Sequence, residues 1–246
     1  MFWLMPWDAH HATRHRPWAT WGLIAINVLV FAWMLSLPGA EIERWFLDYG
    51  LIAAEPQWHQ FATANFLHAG VAHLFFNMLF LFVIGDNIED VLGPAGMLML
   101  YFAGGLAGDA LYVHANPDTL VPSVGASGCI ATLAGAYAVM FLRRTLDLKV
   151  MFLVIPIMSF HLRAIWVLLL WFGADVYLTL VGHGALPEET GVNFVAHGAG
   201  FAVGLFVGMA AQIYGAMRRF ERLEAGHAWF GYWPASLVLP RHRRRR

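Results

Sequence analysis

Four polar side chains interrupt otherwise apolar stretches of this 246-residue chain: His73 and Asn77 in "FLHAGVAHLFFNMLFLFVIG", Ser127 in "VGASGCIATLAG", and His197 in "AHGAGFAVG". A hydroxyl becomes a useful nucleophile when a base about 3 Å away takes its proton, and Ser127 and His197 can form that pair. The oxyanion left by attack on a carbonyl needs donors already in place. Asn77 through its amide, His73 through a ring nitrogen and the Ser127 backbone N–H can supply them. His73 and Asn77 are spaced i, i+4 and project from one helix face. Gly125 and Gly128 leave room around Ser127, and an unwound turn before it would free backbone N–H groups at a helix start. A hydroxyl in an apolar helix can also bond back to its own backbone, so the elements that carry these residues decide between the two readings.

Those elements are membrane spans. The chain is 59% hydrophobic and 13% charged, with a mean hydropathy of +0.58, which excludes an ordinary soluble domain. Six stretches are long and apolar enough to cross a bilayer: Ala19 to Leu37, Phe66 to Gly85, Ala95 to Val113, Val124 to Leu142, Ala164 to Gly182 and Val192 to Tyr214. Between the fourth and fifth, "VMFLVIPIMSF" is too short to cross and is broken by Pro156, so it reads as an interfacial or re-entrant piece. The N-terminus lacks the order of a cleavable signal peptide. Cys129 is the only cysteine, which excludes an intrachain disulfide.

Basic residues in short loops mark the cytoplasmic side. They fall before the first span (Arg14, Arg16), between the fourth and fifth (Arg143, Arg144, Lys149, Arg163) and after the sixth (Arg218, Arg219, Arg222, then "RHRRRR"). The loop after the first span holds Arg44 among Glu41, Glu43, Asp48 and Glu55. The expected fold is therefore an all-α membrane protein, a six-helix bundle with both termini cytoplasmic. It divides into a cytoplasmic segment (1–18), a six-span domain (19–214) and a basic cytoplasmic tail (215–246). The tail reads as a topology signal or an anionic-lipid contact rather than a nucleic-acid patch.

In this orientation the second, fourth and sixth spans all run inward, and His73, Asn77, Ser127 and His197 lie roughly 5–17 Å below the outer face at ~1.5 Å per residue. Gly200, Gly204 and Gly208 recur every four residues in the sixth span, and Gly128 and Gly135 give the fourth a small surface. Such stripes let helices approach closely, which would bring His197 towards Ser127.

At these residues the sequence resembles the rhomboid intramembrane serine proteases, in "FLHAGVAHLFFNMLFLFVIGDNIEDVLG" from Phe66, "VGASG" from Val124 and "AHGAGFAVG" from Ala196. The resemblance implies hydrolysis of peptide bonds in membrane-anchored proteins by a Ser–His dyad, with no metal or organic cofactor. Ser127 would be the nucleophile and His197 the general base, with His73, Asn77 and the Ser127 N–H stabilising the oxyanion. It implies structural roles for His68, beside the site, and for Glu89, at the inner end of the second span; Gly125, Gly128, Gly200 and Gly204 provide space. The expected partners are single-pass or other membrane-anchored substrates and the bilayer, in a prokaryotic plasma membrane.

The sequence departs from the family at two places. Where members often carry Trp-Arg in the first outer loop, His59 and Gln60 follow Trp58, and where an aromatic residue often stacks on the catalytic histidine, Ala131 stands. Asp109 is the tempting third member of a triad, but a dyad does not require it. Asp175, in mid-span, should be neutral, paired or facing a wet cavity. Two other functions compete: an inactive relative that holds membrane clients, and a transporter or electron carrier using His68, His73 and His197 as metal or haem ligands. The second is disfavoured because His68 and His73 lie about 140° apart around a helix and the chain has no His-Glu-x-x-His.

Overall fold

The apolar runs fold mainly as helices. A computed structural model describes residues 2–7, 16–142, 144–153, 155–170 and 193–213. Helix α1 (Trp18–Met34) follows Pro17, whose fixed φ suits a helix start. Its open N–H groups are closed from another helix: Glu89 accepts from Ala19 N at 2.9 Å, Thr20 N at 2.8 Å and Thr20 Oγ1 at 2.8 Å. A buried carboxylate at a helix N-terminus satisfies both the orphan donors and the helix dipole. After α1 come an amphipathic helix α2 (Gly39–Tyr49), a single turn α3 (Gln60–Thr63) and a 3₁₀ turn (Ala64–Phe66).

Helix α4 (Val71–Ala115) bends at Gly93, whose φ of 72° and ψ of 166° break the helical path just before Pro94. Only glycine takes that backbone easily. The two arms fold back on one another, so the start of the first (His73) and the end of the second (Gly105) both approach the beginning of helix α5 (Ser127–Met140) or its preceding loop. Every α5 residue from Gly128 to Ala138 is buried, as expected of a helix that is apolar all round and sits at the centre. Helix α6 (Phe194–Ile213) lies along it. Among the described residues two helices, α4 and α6, are long and apolar enough to cross a membrane, and α1 and α5 are shorter apolar helices.

The all-helical expectation misses one element. Strands β1 (Phe2–Trp7), β2 (Thr145–Phe152) and β3 (Ile155–Arg163) form an antiparallel sheet in that order. The segment expected as an interfacial or re-entrant piece is thus the end of β2, the hairpin turn and most of β3, and the N-terminal segment adds the third strand. The cause is a period of two, apolar then polar, in Leu146-Asp147-Leu148-Lys149-Val150 and in Met158-Ser159-Phe160-His161-Leu162-Arg163. Register shifts at Val150/Met151, opposite Pro156, which has no N–H to give the ladder. Residues 164–170 are helical. The rest of the expected fifth span with Asp175, the basic residues Arg14 and Arg143, and the tail 215–246 lie outside the described residues.

Candidate functional site

Ser127 opens α5, and the loop before it is fastened from two sides. Ser123 exchanges two backbone hydrogen bonds of 2.9 Å with Leu51, and Gly125 N donates to Ala64 O at 2.9 Å. Gly125 has φ +126°, and a Cβ placed there would sit 2.7 Å from both Cε1 and Nε2 of His73 and 3.7 Å from Nδ2 of Asn77. Both conformation and space therefore require glycine. The imidazole of His73 and the amide of Asn77 thus converge on the peptide two residues before the hydroxyl. Asn77 Nδ2 is buried without a hydrogen-bond partner, an uncommon state for a buried donor and one that suits a group waiting for an acceptor.

His197, the fourth residue of α6, is 4% exposed. Its Nε2 is 2.6 Å from Ser127 Oγ, positioned to receive the hydroxyl proton. Bare backbone makes this approach possible. A Cβ on Gly200 would meet Thr132 Oγ1 at 2.8 Å and would crowd Gly128 O; on Gly204 it would reach Ala136 N at 2.8 Å and overlap Thr132 O; on Gly135 it would meet Leu205 N at 2.9 Å and overlap Phe201 O. Gly128 has more room, with Ala196 Cβ 3.5 Å away. The second arm of α4 presses in at Gly108, where a Cβ would lie 2.6 Å from Ala196 O.

The supporting residues fall into separate groups. His68 is buried with its ring edge-on to His73, centroids 5.0 Å apart, so it stands behind one of the oxyanion candidates. Glu89 lies away from the Ser127–His197 pair, at the start of α1. Asp109 is buried beside Asn65. Asn65 in turn accepts from Cys129 Sγ at 3.1 Å and donates to Phe61 O at 2.8 Å. Asp109 therefore lies next to a network behind α5. In the first outer loop, Gln60 is buried and its Oε1 accepts from Gln57 N at 3.0 Å, while His59 Nε2 bonds Asp48 O at 2.9 Å. These two residues fasten the loop to the end of α2. Ala131 is wholly buried, and the aromatic beside the histidine comes from its own helix: Phe194 meets His197 edge-on at 6.1 Å between centroids.

Sequence reasoning overlooked Asn193. Its Oδ1 accepts from Ala196 N at 2.9 Å, capping α6, and its Nδ2 donates to Ser123 Oγ at 3.0 Å. One side chain thus links the helix of the imidazole to the loop of the hydroxyl. The available signal was an Asn immediately before an apolar helical run, a usual N-cap.

The Rhomboid domain family model matches residues 55–212, well over half of the sequence and including all four polar residues. The chain belongs to the rhomboid family. It is 33% identical over 125 residues to the "Putative rhomboid protease YdcA" of Bacillus subtilis (strain 168), covering 50% of this chain and 62% of that one. It is 31% identical over 125 residues to "Rhomboid protease GluP" of the same organism, covering 49% and 24%. To the human "Rhomboid-related protein 3" it is 28% identical over 172 residues, covering 70% and 40%. The matched region thus spans less than two thirds of each of these relatives. Family membership and the apolar helices make this rhomboid-family chain an integral membrane protein with a multi-span fold.

Proposed function

We propose that this rhomboid-family chain is an intramembrane serine endopeptidase that cleaves transmembrane segments of membrane-anchored proteins near the outer face. The observation that carries this reading is the 2.6 Å approach of Ser127 Oγ to His197 Nε2, made by two helices whose backbones meet through glycine. His197 accepts the Ser127 proton as Oγ attacks the scissile carbonyl, then returns it to the leaving amine. A water activated by the same imidazole releases the acyl group. The tetrahedral oxyanion is received by the Asn77 amide, the His73 ring and the Ser127 N–H. Close packing around Gly125 and Ala126 favours a small residue at the cleaved bond.

This reading takes the bundle as six spans over 19–214 with both termini cytoplasmic, in a prokaryotic plasma membrane. The basic inner loops and the bacterial relatives support it. A fluorophosphonate probe applied to the protein in liposomes tests it. The unaltered protein should be labelled, and both Ser127→Ala and His197→Ala should lose labelling and cleavage of a model substrate. Labelling that survives in Ser127→Ala removes the assignment.

A further inference from the structure

The sheet has two unlike faces. Cross-strand pairs Leu146 with Leu162, Leu148 with Phe160, and Val150 with both Met158 and Leu4 put these side chains on one wholly apolar face, while the other mixes Asp147, Lys149, Ser159 and His161 with Met5 and Met151. At one end the apolar face belongs to the helical core: Leu146 is 1% exposed, and Leu148 and Leu162 pack against the same cluster. Outward along the face exposure rises, to 45% at Phe160, 51% at Met158 and 53% at Leu4. Among the described residues, the surface that rests on the helices therefore continues beyond them uncovered.

Its place in the bundle indicates what covers it. β2 follows the C-terminal end of α5, and Gln212 Nε2 donates to Val139 O at 3.2 Å, so α6 ends at the same level. Exposed Leu142 and Ile213 stand at this end, continuing an apolar outer surface that includes Leu29, Met99 and Phe206. In a membrane protein that surface faces lipid. Between residues 144 and 163 there are three cations, Arg144, Lys149 and Arg163, and one acid, Asp147, which already holds His161 Nδ1 at 2.9 Å.

We propose that this sheet seats on the lipid leaflet at the inner end of the bundle, with Leu4, Met158 and Phe160 in the boundary between acyl chains and headgroups and the basic residues beside anionic headgroups. A surface with apolar residues on one side and cations around it binds an anionic bilayer in this way. The proposal depends on the chain being a membrane protein and not on its peptidase chemistry, so its test needs no activity.

The full chain, reconstituted in liposomes containing anionic lipid, would carry an environment-sensitive fluorophore at Met158→Cys, Phe160→Cys, Ser159→Cys or Lys149→Cys; Cys129 is buried, and the unsubstituted protein is the control. Nitroxide lipids should quench positions 158 and 160 at least about two-fold more than 159 and 149, and aqueous iodide should show the reverse order. Equal quenching at all four positions overturns the proposal. So does protection at 158 and 160 that vanishes as the protein is diluted in lipid, since that places a second copy on the face. The unaltered protein gives an independent reading: a photoreactive lipid should cross-link to peptides containing Met158 or Phe160, and its absence there rejects the seat.

Discussion

The two ends of α5 are built on opposite terms. Around its first residue, Ser127, glycines sit tight against their neighbours: Gly125 against the His73 ring, Gly200 against Gly128 backbone, Gly108 against Ala196 backbone. About 20 Å further along, at ~1.5 Å per residue, Met140 leads into a sheet whose outer residues have their apolar side uncovered. One end specifies single residues, because an added methyl group has nowhere to go; the other specifies only that apolar and polar side chains alternate. The proposed chemistry, which needs an ångström of accuracy, falls at the first end, and substitution should hurt the two ends very differently.

The largest effect is expected where α5 and α6 touch. Gly204→Val would drive a branched side chain into Thr132 O and Ala136 N, atoms that cannot swing aside, and overpacking of this kind costs about 1–3 kcal/mol or more. Fluorophosphonate labelling should fall to background together with a lower unfolding temperature in detergent. A variant that labels normally would show that the helices are further apart than described. Next is Gly125→Ala, which forces an alanine to positive φ and pushes its methyl group onto His73. A strained backbone position costs about 1–3 kcal/mol, and because the clash is with an oxyanion candidate, substrate cleavage should fall roughly 100-fold. The unfolding temperature should drop far less than for Gly204→Val, and equal drops would make Gly125 a folding residue only.

Asn193→Ala should act more mildly. Losing an N-cap costs about 0.5–2 kcal/mol, and losing the link to Ser123 loosens the nucleophile loop relative to the base, so kcat should decrease roughly ten-fold with KM nearly unchanged. Asn193→Ser keeps a capping oxygen but is too short to reach Ser123. It should recover most of the stability and little of the rate, and recovery of both would leave Asn193 as a cap alone.

What the sequence made legible follows the same division. Ser127 and His197 were readable as a pair because spans running the same way put them at one depth, and the repeat of Gly200, Gly204 and Gly208 announced a close neighbour. A boundary between the second and third spans was legible between Gly85 and Ala95, and the turn falls inside it at Gly93. Asn65 and Asn193 were not singled out, since each works through partners about 64 to 70 residues away that spacing does not reveal. Phe194 replaces an aromatic expected on α5 from a position on α6, a substitution in space that no single helix pattern displays. The sheet was missed for another reason. A hydropathy window reads "VMFLVIPIMSF" as one apolar run, whereas the alternation that makes it strand starts at Leu146 and resumes at Met158, on either side of the hairpin turn.

The smallest effect is expected at that sheet. Met158→Thr keeps a strand-forming, β-branched residue and removes an apolar side chain already 51% exposed. Its hydrophobic contribution is therefore only part of the roughly 1.5–3 kcal/mol that a fully buried methionine supplies. In detergent, fluorophosphonate labelling should stay within about two-fold of the unaltered protein, because nothing at the β2–β3 hairpin touches Ser127 or His197 and distant, independent sites act additively. In liposomes the same variant should seat less firmly and show greater iodide access at a probe on Phe160→Cys. If Met158→Thr instead silences labelling in detergent, the sheet and the dyad are coupled through α5. The two ends of that helix would then be parts of one device, and the contrast between them would have to be abandoned.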